Sequence, residues 1–493
     1  MIPTRRSRLA ATAVLLFTAW LCVLALAGAP AAHAQHAPAE GIAYEIIVPL
    51  DREPRLDVRL TIFPEAGFAG GPVELRLPEG LSPEDVRVVA PPGVPAEEGA
   101  EPASRGGDAP VSDGDGNAVR IDIPAATPVT VGYSVRLRGG LINPAAQPEA
   151  PYASAYLGDF AYVAGRDTLA RPVGAPPAGA ATVTVHLPPE WRAFAADIGE
   201  LPSGRATPVA DVERLVLLMG PVAVDAQDTP GGRVTVVTAG AMPWPAEAAA
   251  ESLNTMVAAL AEAGFGQFLT DVTFFHIRYP GALRLNPIIA GHTVGHRTMV
   301  LWTGLGGLDW WRKHAARTVI DWLLQRTVTT LPEAAWFAEG LPEYATLLLL
   351  HELGYMSADE MYLALRTLYA TGIHYTGPGW PSLVLAGVTS PRSHASQRVL
   401  EFRAPLVAFL LDVELREASA GAASIMDIWR EAAEEQRRNP SAVFHTARLL
   451  SSVAEFGDLS AFAEQYLFGS RIPPADFDGV YRRWLATRGE DGP

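Results

Sequence analysis

The sequence predicts an α+β protein of more than one domain, a β-sandwich followed by a mostly helical domain. Three observations carry this. At 493 residues the chain exceeds what one hydrophobic core organises. From residue 43 to about 225, short runs that alternate apolar and polar residues are separated by Pro and Gly. Beyond residue 307, apolar residues recur at helical spacing almost to the C-terminus. Apolar residues at 49% and charged residues at 19% fit a folded chain and exclude general disorder.

Arg5, Arg6 and Arg8 precede the apolar run Leu9 to Ala27, and Ala32-His-Ala34 is a small-x-small cleavage site. This predicts a signal peptide over 1–34 and a secreted or extracytoplasmic (cell-envelope) protein. A retained membrane anchor is the alternative, because the run approaches a bilayer span. Gly28-Ala-Pro30 weakens that helix, so no stable membrane insertion is expected after cleavage. Cys22 is the only cysteine and lies in this segment. The mature chain then has no disulfide and no thiolate ligand. Cleavage removes three arginines and no acid, taking the formal charge from −16 to −19. That balance disfavours nucleic acid and anionic membrane surfaces.

The sandwich is expected over 41–228. Leu56-Asp-Val-Arg-Leu-Thr-Ile, Val73-Glu-Leu-Arg-Leu, Val129-Thr-Val-Gly-Tyr-Ser-Val and Thr182-Val-Thr-Val-His-Leu alternate as half-buried strands do. Pro91 to Asn117 reads as a loop. Its Asp113-Gly-Asp-Gly-Asn117 begins like a calcium loop, but Pro124 stands where the bidentate glutamate belongs, so a hairpin turn is expected. The second domain is expected over 229–493. It opens with a strand at Val234 and a helix over Trp244–Ala263, then two or three strands between Val272 and Trp302. Helices follow over Trp310–Arg326, Ala334–Leu353, Ala358–Tyr369, Gln397–Ala418, Ile425–Gln436, Ala442–Phe456, Leu459–Leu467 and Pro474–Trp484.

One segment carries chemistry. Ala335-Trp-Phe-Ala-Glu-Gly-Leu-Pro-Glu-Tyr344 resembles the W-x-x-E-G-x-x-x-Y helix of gluzincin zinc metallopeptidases, with Glu339 at the position of the third zinc ligand. The stretch Phe402-Arg-Ala-Pro-Leu-Val-Ala-Phe-Leu-Leu-Asp-Val-Glu-Leu-Arg416, with Gly421 and Ser424-Ile-Met-Asp427, is similar to a helix of the glycyl aminopeptidase family and its L-D-x-x-x-R run. Leu459 to Gly469 resembles that family's closing segment. The resemblance spans roughly 43–487 and implies a thermolysin-like, gluzincin-type fold for the second domain.

The same resemblance exposes what is missing. A working site needs two histidines one helical turn apart and a glutamate beside the first. In the better register Arg317-Thr-Val-Ile-Asp321 occupies H-E-x-x-H, so Arg317 and Asp321 replace the histidines and Thr318 the base. In the other register His314 is the one histidine retained. Arginine cannot deprotonate and repels a cation. Phe402 matches the tyrosine that stabilises the oxyanion and carries no donor. Gly291-His-Thr-Val-Gly-His296 matches the substrate strand, with Gly295 where a glutamate would hold the substrate amine.

These departures predict a degenerate site with no resident cofactor. Arg317 is expected to pair with Glu339 in place of the metal. The cleft is expected to include Glu339, Gly291, His296 and Arg317. If the chain is active, zinc is implied, with Glu339, His292, His296 and His314 as its ligands. His351-Glu-Leu-Gly-Tyr355 opens like a zinc motif but lacks the second histidine. Three functions follow, in order: an inactive pseudopeptidase that binds a peptide or an exported protein, an aminopeptidase with a non-standard ligand set, and a structural envelope protein.

Overall fold

The computed structural model describes residues 39–489, apart from internal stretches of which the longest are 90–117, 140–153 and 279–289. The signal peptide expected over 1–34 and the loop expected over Pro91–Asn117 lie outside the described residues.

The N-terminal region is built from two six-stranded sheets and a three-stranded one. Ala39–Ile47 pairs antiparallel with Arg55–Pro64 and parallel with Ala181–His186. In Arg55–Pro64 the alternation does what period two requires. Leu56, Val58, Leu60 and Ile62 are buried while their neighbours are not. Two buried tyrosines tie the sheets to a crossing segment. Tyr44 donates to the Ala170 carbonyl at 2.9 Å, and the Tyr133 hydroxyl accepts from the Ala170 N–H at 2.7 Å.

The second region opens with a five-stranded sheet, in the order Ala223–Thr229, Gly232–Ala239, Val272–Arg278, Thr298–Thr303, Ala290–Val294. Its first strand begins at Ala223, a few residues before the expected boundary, because Ala223–Thr229 forms a hairpin with Gly232–Ala239. The central pairings are parallel, and Thr298–Thr303 is buried throughout. That is the behaviour of a strand covered on both faces. One face carries helices. The other presents Val237, Phe275, Val300 and Trp302 to Phe160, Tyr162, Phe194 and Leu218 of the first region in one apolar cluster. The Tyr162 and Trp302 rings meet edge-on at 5.1 Å.

Ten α-helices of five residues or more are described after this sheet begins: α1 (Ala246–Leu260), α2 (Leu308–Thr327), α3 (Ala335–Glu352), α4 (Ala358–Gly372), α5 (Leu383–Val388), α6 (His394–Arg398), α7 (Ala404–Ala418), α8 (Ile425–Arg438), α9 (Thr446–Val453) and α10 (Phe477–Arg488). The single helix expected over Gln397–Ala418 is α6, a π-turn over Val399–Arg403, and α7. Helix α5 has no counterpart in the sequence reading, and α9 is shorter than the segment expected over Ala442–Phe456.

Two features place the site. At Gly340 a Cβ would lie 2.5 Å from the Ala404 carbonyl carbon, so glycine is what lets α3 cross α7 this closely. Beyond that crossing, the fully buried Asp412 of α7 accepts from Tyr344 Oη at 2.6 Å, Arg416 Nε at 2.8 Å, Trp484 Nε1 at 3.1 Å and the Ile425 N–H at 2.8 Å. One carboxylate thereby joins α3, α7, α8 and α10.

Candidate active site

Helices α2 and α3 pack side by side, and their sequences place two charged ladders face to face. Lys313, Arg317 and Asp321 recur at i and i+4 on α2, and Glu339 and Glu343 do so on α3. Arg317 Nε donates to Asp321 Oδ2 at 2.8 Å, Nη1 to Glu343 Oε2 at 3.0 Å, and Nη2 to the Glu339 main-chain carbonyl at 3.3 Å. Lys313 Nζ holds the other Glu343 oxygen at 3.0 Å. It is the only lysine in the chain.

The expected Arg317–Glu339 carboxylate pair is therefore not formed. Glu343, one turn further along α3, takes the arginine. The Glu339 carboxylate turns outward and accepts from Arg392 Nη1 at 2.7 Å, with side chains 44% and 38% exposed.

The electrostatics follow from burial and partner count. Burial would depress Arg317, but Asp321, Glu343 and Glu339 outweigh it and hold its pKa above the ordinary value. Burial raises Asp321, which has one cation against the added repulsion of Glu339 and Glu343. Burial also disfavours the charged form of Glu343, yet two cations, Lys313 and Arg317, bring its pKa below the usual range. His314 is pushed down by burial and by Lys313. This is a mutually neutralised network.

Arg317, Glu339, Glu343 and Arg392 line a cleft of about 560 Å³. Its apolar wall is Leu368, Leu400 and Phe402. The π-turn Val399–Arg403 carries Phe402, whose ring stacks on Tyr375 at 5.5 Å and lies under the Arg398 guanidinium at 5.6 Å. Arg403, the next residue, points away. It is fully buried and donates to the Tyr466 and Gly469 carbonyls at 2.9 and 2.7 Å.

The remaining sequence-predicted residues do not join this cleft. Thr318 is buried beneath the edge strand Ala290–Val294. A Cβ on Gly291 would lie 1.7 Å from Thr318 Oγ1, so the strand and helix are in contact there. Gly291 and His296 do not line the cleft. His292 pairs across the sheet with Val300, whose side chain belongs to the apolar cluster facing the first region, so its face is opposite to the one covered by α2. His296 lies in the hairpin turn, where its carbonyl accepts from Trp322 Nε1 at 3.0 Å and from Arg326. The neighbouring Gly295 leaves room for the Asp197 carboxylate of the first region, which accepts from the His296 and Arg297 N–H groups. The His314 and Trp310 rings meet at a tilt, with centroids 5.1 Å apart. The ligand set Glu339, His292, His296 and His314 is not assembled. His351 Nδ1 lies 3.1 Å from the Met356 carbonyl, at the end of α3.

Among the described residues, no group of three or more His, Cys, Asp or Glu is placed to hold a metal ion. The donor chemistry explains why. The side chains on α2 that face Glu339 are a permanent cation and a carboxylate already bound to it, and imidazole faces the cleft from neither position. A zinc ion does not fit these residues. Sequence reasoning missed Lys313, Glu343 and Arg392. The i+4 spacing from Arg317 and Glu339 marks the first two, whereas nothing in the sequence marks Arg392. Among the described residues no helix is long and apolar enough to cross a membrane.

No family model and no curated protein matches the chain. Solved structures do. An aminopeptidase N family protein from Idiomarina loihiensis matches with a TM-score of 0.61 at 15% identity, over 90% of this chain and 78% of its own. An M1 zinc metallopeptidase from Deinococcus radiodurans matches at 17% identity over 89% and 96%, with a TM-score of 0.45. A two-domain M1 zinc metallopeptidase bound to L-arginine matches at 17% over 88% and 95%, with a TM-score of 0.46. Only the first is close enough in shape to bear on the fold. Its match covers the sheet-rich N-terminal region and the helical domain together, and the chain has a gluzincin aminopeptidase-like fold.

Proposed function

We propose that this chain is an exported pseudopeptidase that binds a peptide or an exported protein in the cleft without hydrolysing it. The observation that supports this most is the Arg317–Asp321 pair. It occupies the helix face opposite Glu339 and is itself locked to Glu343. Peptide hydrolysis in this fold needs water acidified by a metal and a base to take its proton. Arg317 can do neither, Thr318 has no acid–base chemistry near neutrality and is buried, and Phe402 has no donor for an oxyanion. Loss of one such donor alone commonly lowers rates by on the order of 10²–10³. Export rests on the N-terminal sequence, and the domains are proposed to meet near residue 228.

The test uses secreted protein purified without chelator. Aminoacyl-coumarin amides and a degenerate peptide pool are offered with added zinc, and turnover and retention are both measured. Retained peptide without turnover supports the proposal. Zinc-dependent turnover that is lost in Glu339→Gln overturns it.

A further inference from the structure

Both guanidiniums of the cleft keep N–H groups that the bonds described for them do not use, and Glu339 keeps an oxygen that accepts none of the bonds described for it. Arg317 carries five N–H groups and Arg392 five. The bonds described for Arg317 take one on each nitrogen, leaving one N–H on each Nη, and the ion pair described for Arg392 takes one on Nη1. On the acidic side, both Glu343 oxygens are engaged, by Lys313 and Arg317. Glu401 is held by Arg398 at 2.9 Å, one turn away on its own segment. Every pair but one is anchored within or between helices. Arg392 precedes α6, outside any helix, and meets Glu339 through a single contact at the exposed mouth. It is the cation best placed to change partner, and Glu339 can return to water when it does.

A group that only accepts complements the unused N–H donors of Arg317 and Arg392. Guanidinium pairs engage a carboxylate through two oxygens, which adds geometry to attraction. Beside the two arginines, Leu368, Leu400 and Phe402 offer an apolar wall. We infer that the cleft takes the C-terminal carboxylate of a peptide whose last side chain is apolar, with Arg392 and Arg317 donating to the carboxylate and Phe402, Leu368 and Leu400 receiving the side chain. This rests on the peptide-binding reading above and reverses the polarity of a site built to hold an amine.

The single lysine makes the cleft addressable. Reductive ¹³C-methylation of the full mature protein labels Lys313 and the N-terminal amine alone, keeps the charge, and gives one side-chain resonance beside Glu343. The probes are degenerate hexapeptides fixed at the last position as Leu, Phe, Ala or Asp, each as free acid and as amide and each with an acetylated and with a free N-terminus. The Leu and Phe acids are expected to move the Lys313 resonance and to bind at least about tenfold more tightly than their amides. Arg392→Gln, at an exposed position, should erase the acid–amide difference. Equal binding of acid and amide, a preference for Asp, or binding only by peptides with a free N-terminus overturns this inference and leaves peptide binding standing. Failure of every peptide to bind overturns both.

Discussion

Glu339 and Tyr344 belong to one helix and one motif, yet they stand in opposite physical settings. Tyr344 turns into the core and donates to Asp412, which is fully buried and satisfied by donors from four residues. Glu339 turns to the cleft mouth, half exposed, and shares one contact with Arg392. The buried half of the motif holds helices together and depends on every member. The open half is a chain of ion pairs in which each charge has water or a second partner to fall back on. The difference teaches that packing and cleft are separable in this fold, because the residues that organise the packing are not those that line the cleft.

The sharpest way to break the comparison is Asp412→Ala. It strands Arg416, Tyr344 and Trp484 in the core, and breaking a buried ion pair typically costs 3–5 kcal/mol. Denaturant unfolding should show a loss of about 5 kcal/mol or no stable fold. A loss below about 1 kcal/mol would mean the buried hub is not special.

Burial leaves a second signature in pH. His276 is fully buried between Trp244 and Trp311 with Nε2 at 2.9 Å from Thr303 Oγ1, and burial pushes its pKa down to about 3 from an ordinary 6.5. The folded state therefore disfavours its charge. Stability from the neutral ring is complete above pH 6.5 and is lost as pH falls from there toward 3, by about 5 kcal/mol in all. Unfolding titrations between pH 7 and 4 should slope accordingly, and His276→Gln should flatten them. An unchanged slope in the variant would place the acid sensitivity elsewhere.

Much of this was legible in the sequence. Period-two alternation marked Arg55–Pro64, because burial there is one-sided, whereas α3 is buried all round from Tyr344 to Leu350 and was marked by its motif. The placement of Arg317 on the α2 face against α3 was legible too, since it lies at fixed spacing from Glu339. Partner choice was not. The preference of Arg317 for Glu343 over the Glu339 carboxylate depends on how two helices are rotated against each other. Arg392 comes from a loop distant in sequence. The break of the predicted Gln397–Ala418 helix into α6, a π-turn and α7 carries no periodic signal, because a one-residue bulge leaves the apolar spacing nearly intact.

Within the open network a graded response is expected. Arg317→Met removes the shared cation and leaves Asp321 without one, while Lys313 still holds Glu343. Asp321 is already biased toward its neutral form by burial, so the expected loss is about 2 kcal/mol. Glu339→Gln should change stability by less than about 0.5 kcal/mol, as exposed pairs do. Equal losses in the two variants would show that Glu339 belongs to the buried network after all.

Metal content tests the central claim most directly. Zinc per chain is measured by plasma mass spectrometry on protein purified without chelator from zinc-supplemented cultures, for the natural chain and for Arg317→His/Asp321→His. The natural chain should carry no stoichiometric zinc, because a guanidinium faces Glu339. The double variant should approach about one zinc per chain, since it returns two imidazoles one turn apart to that face. One zinc per natural chain, lost in Glu339→Gln, would contradict the account.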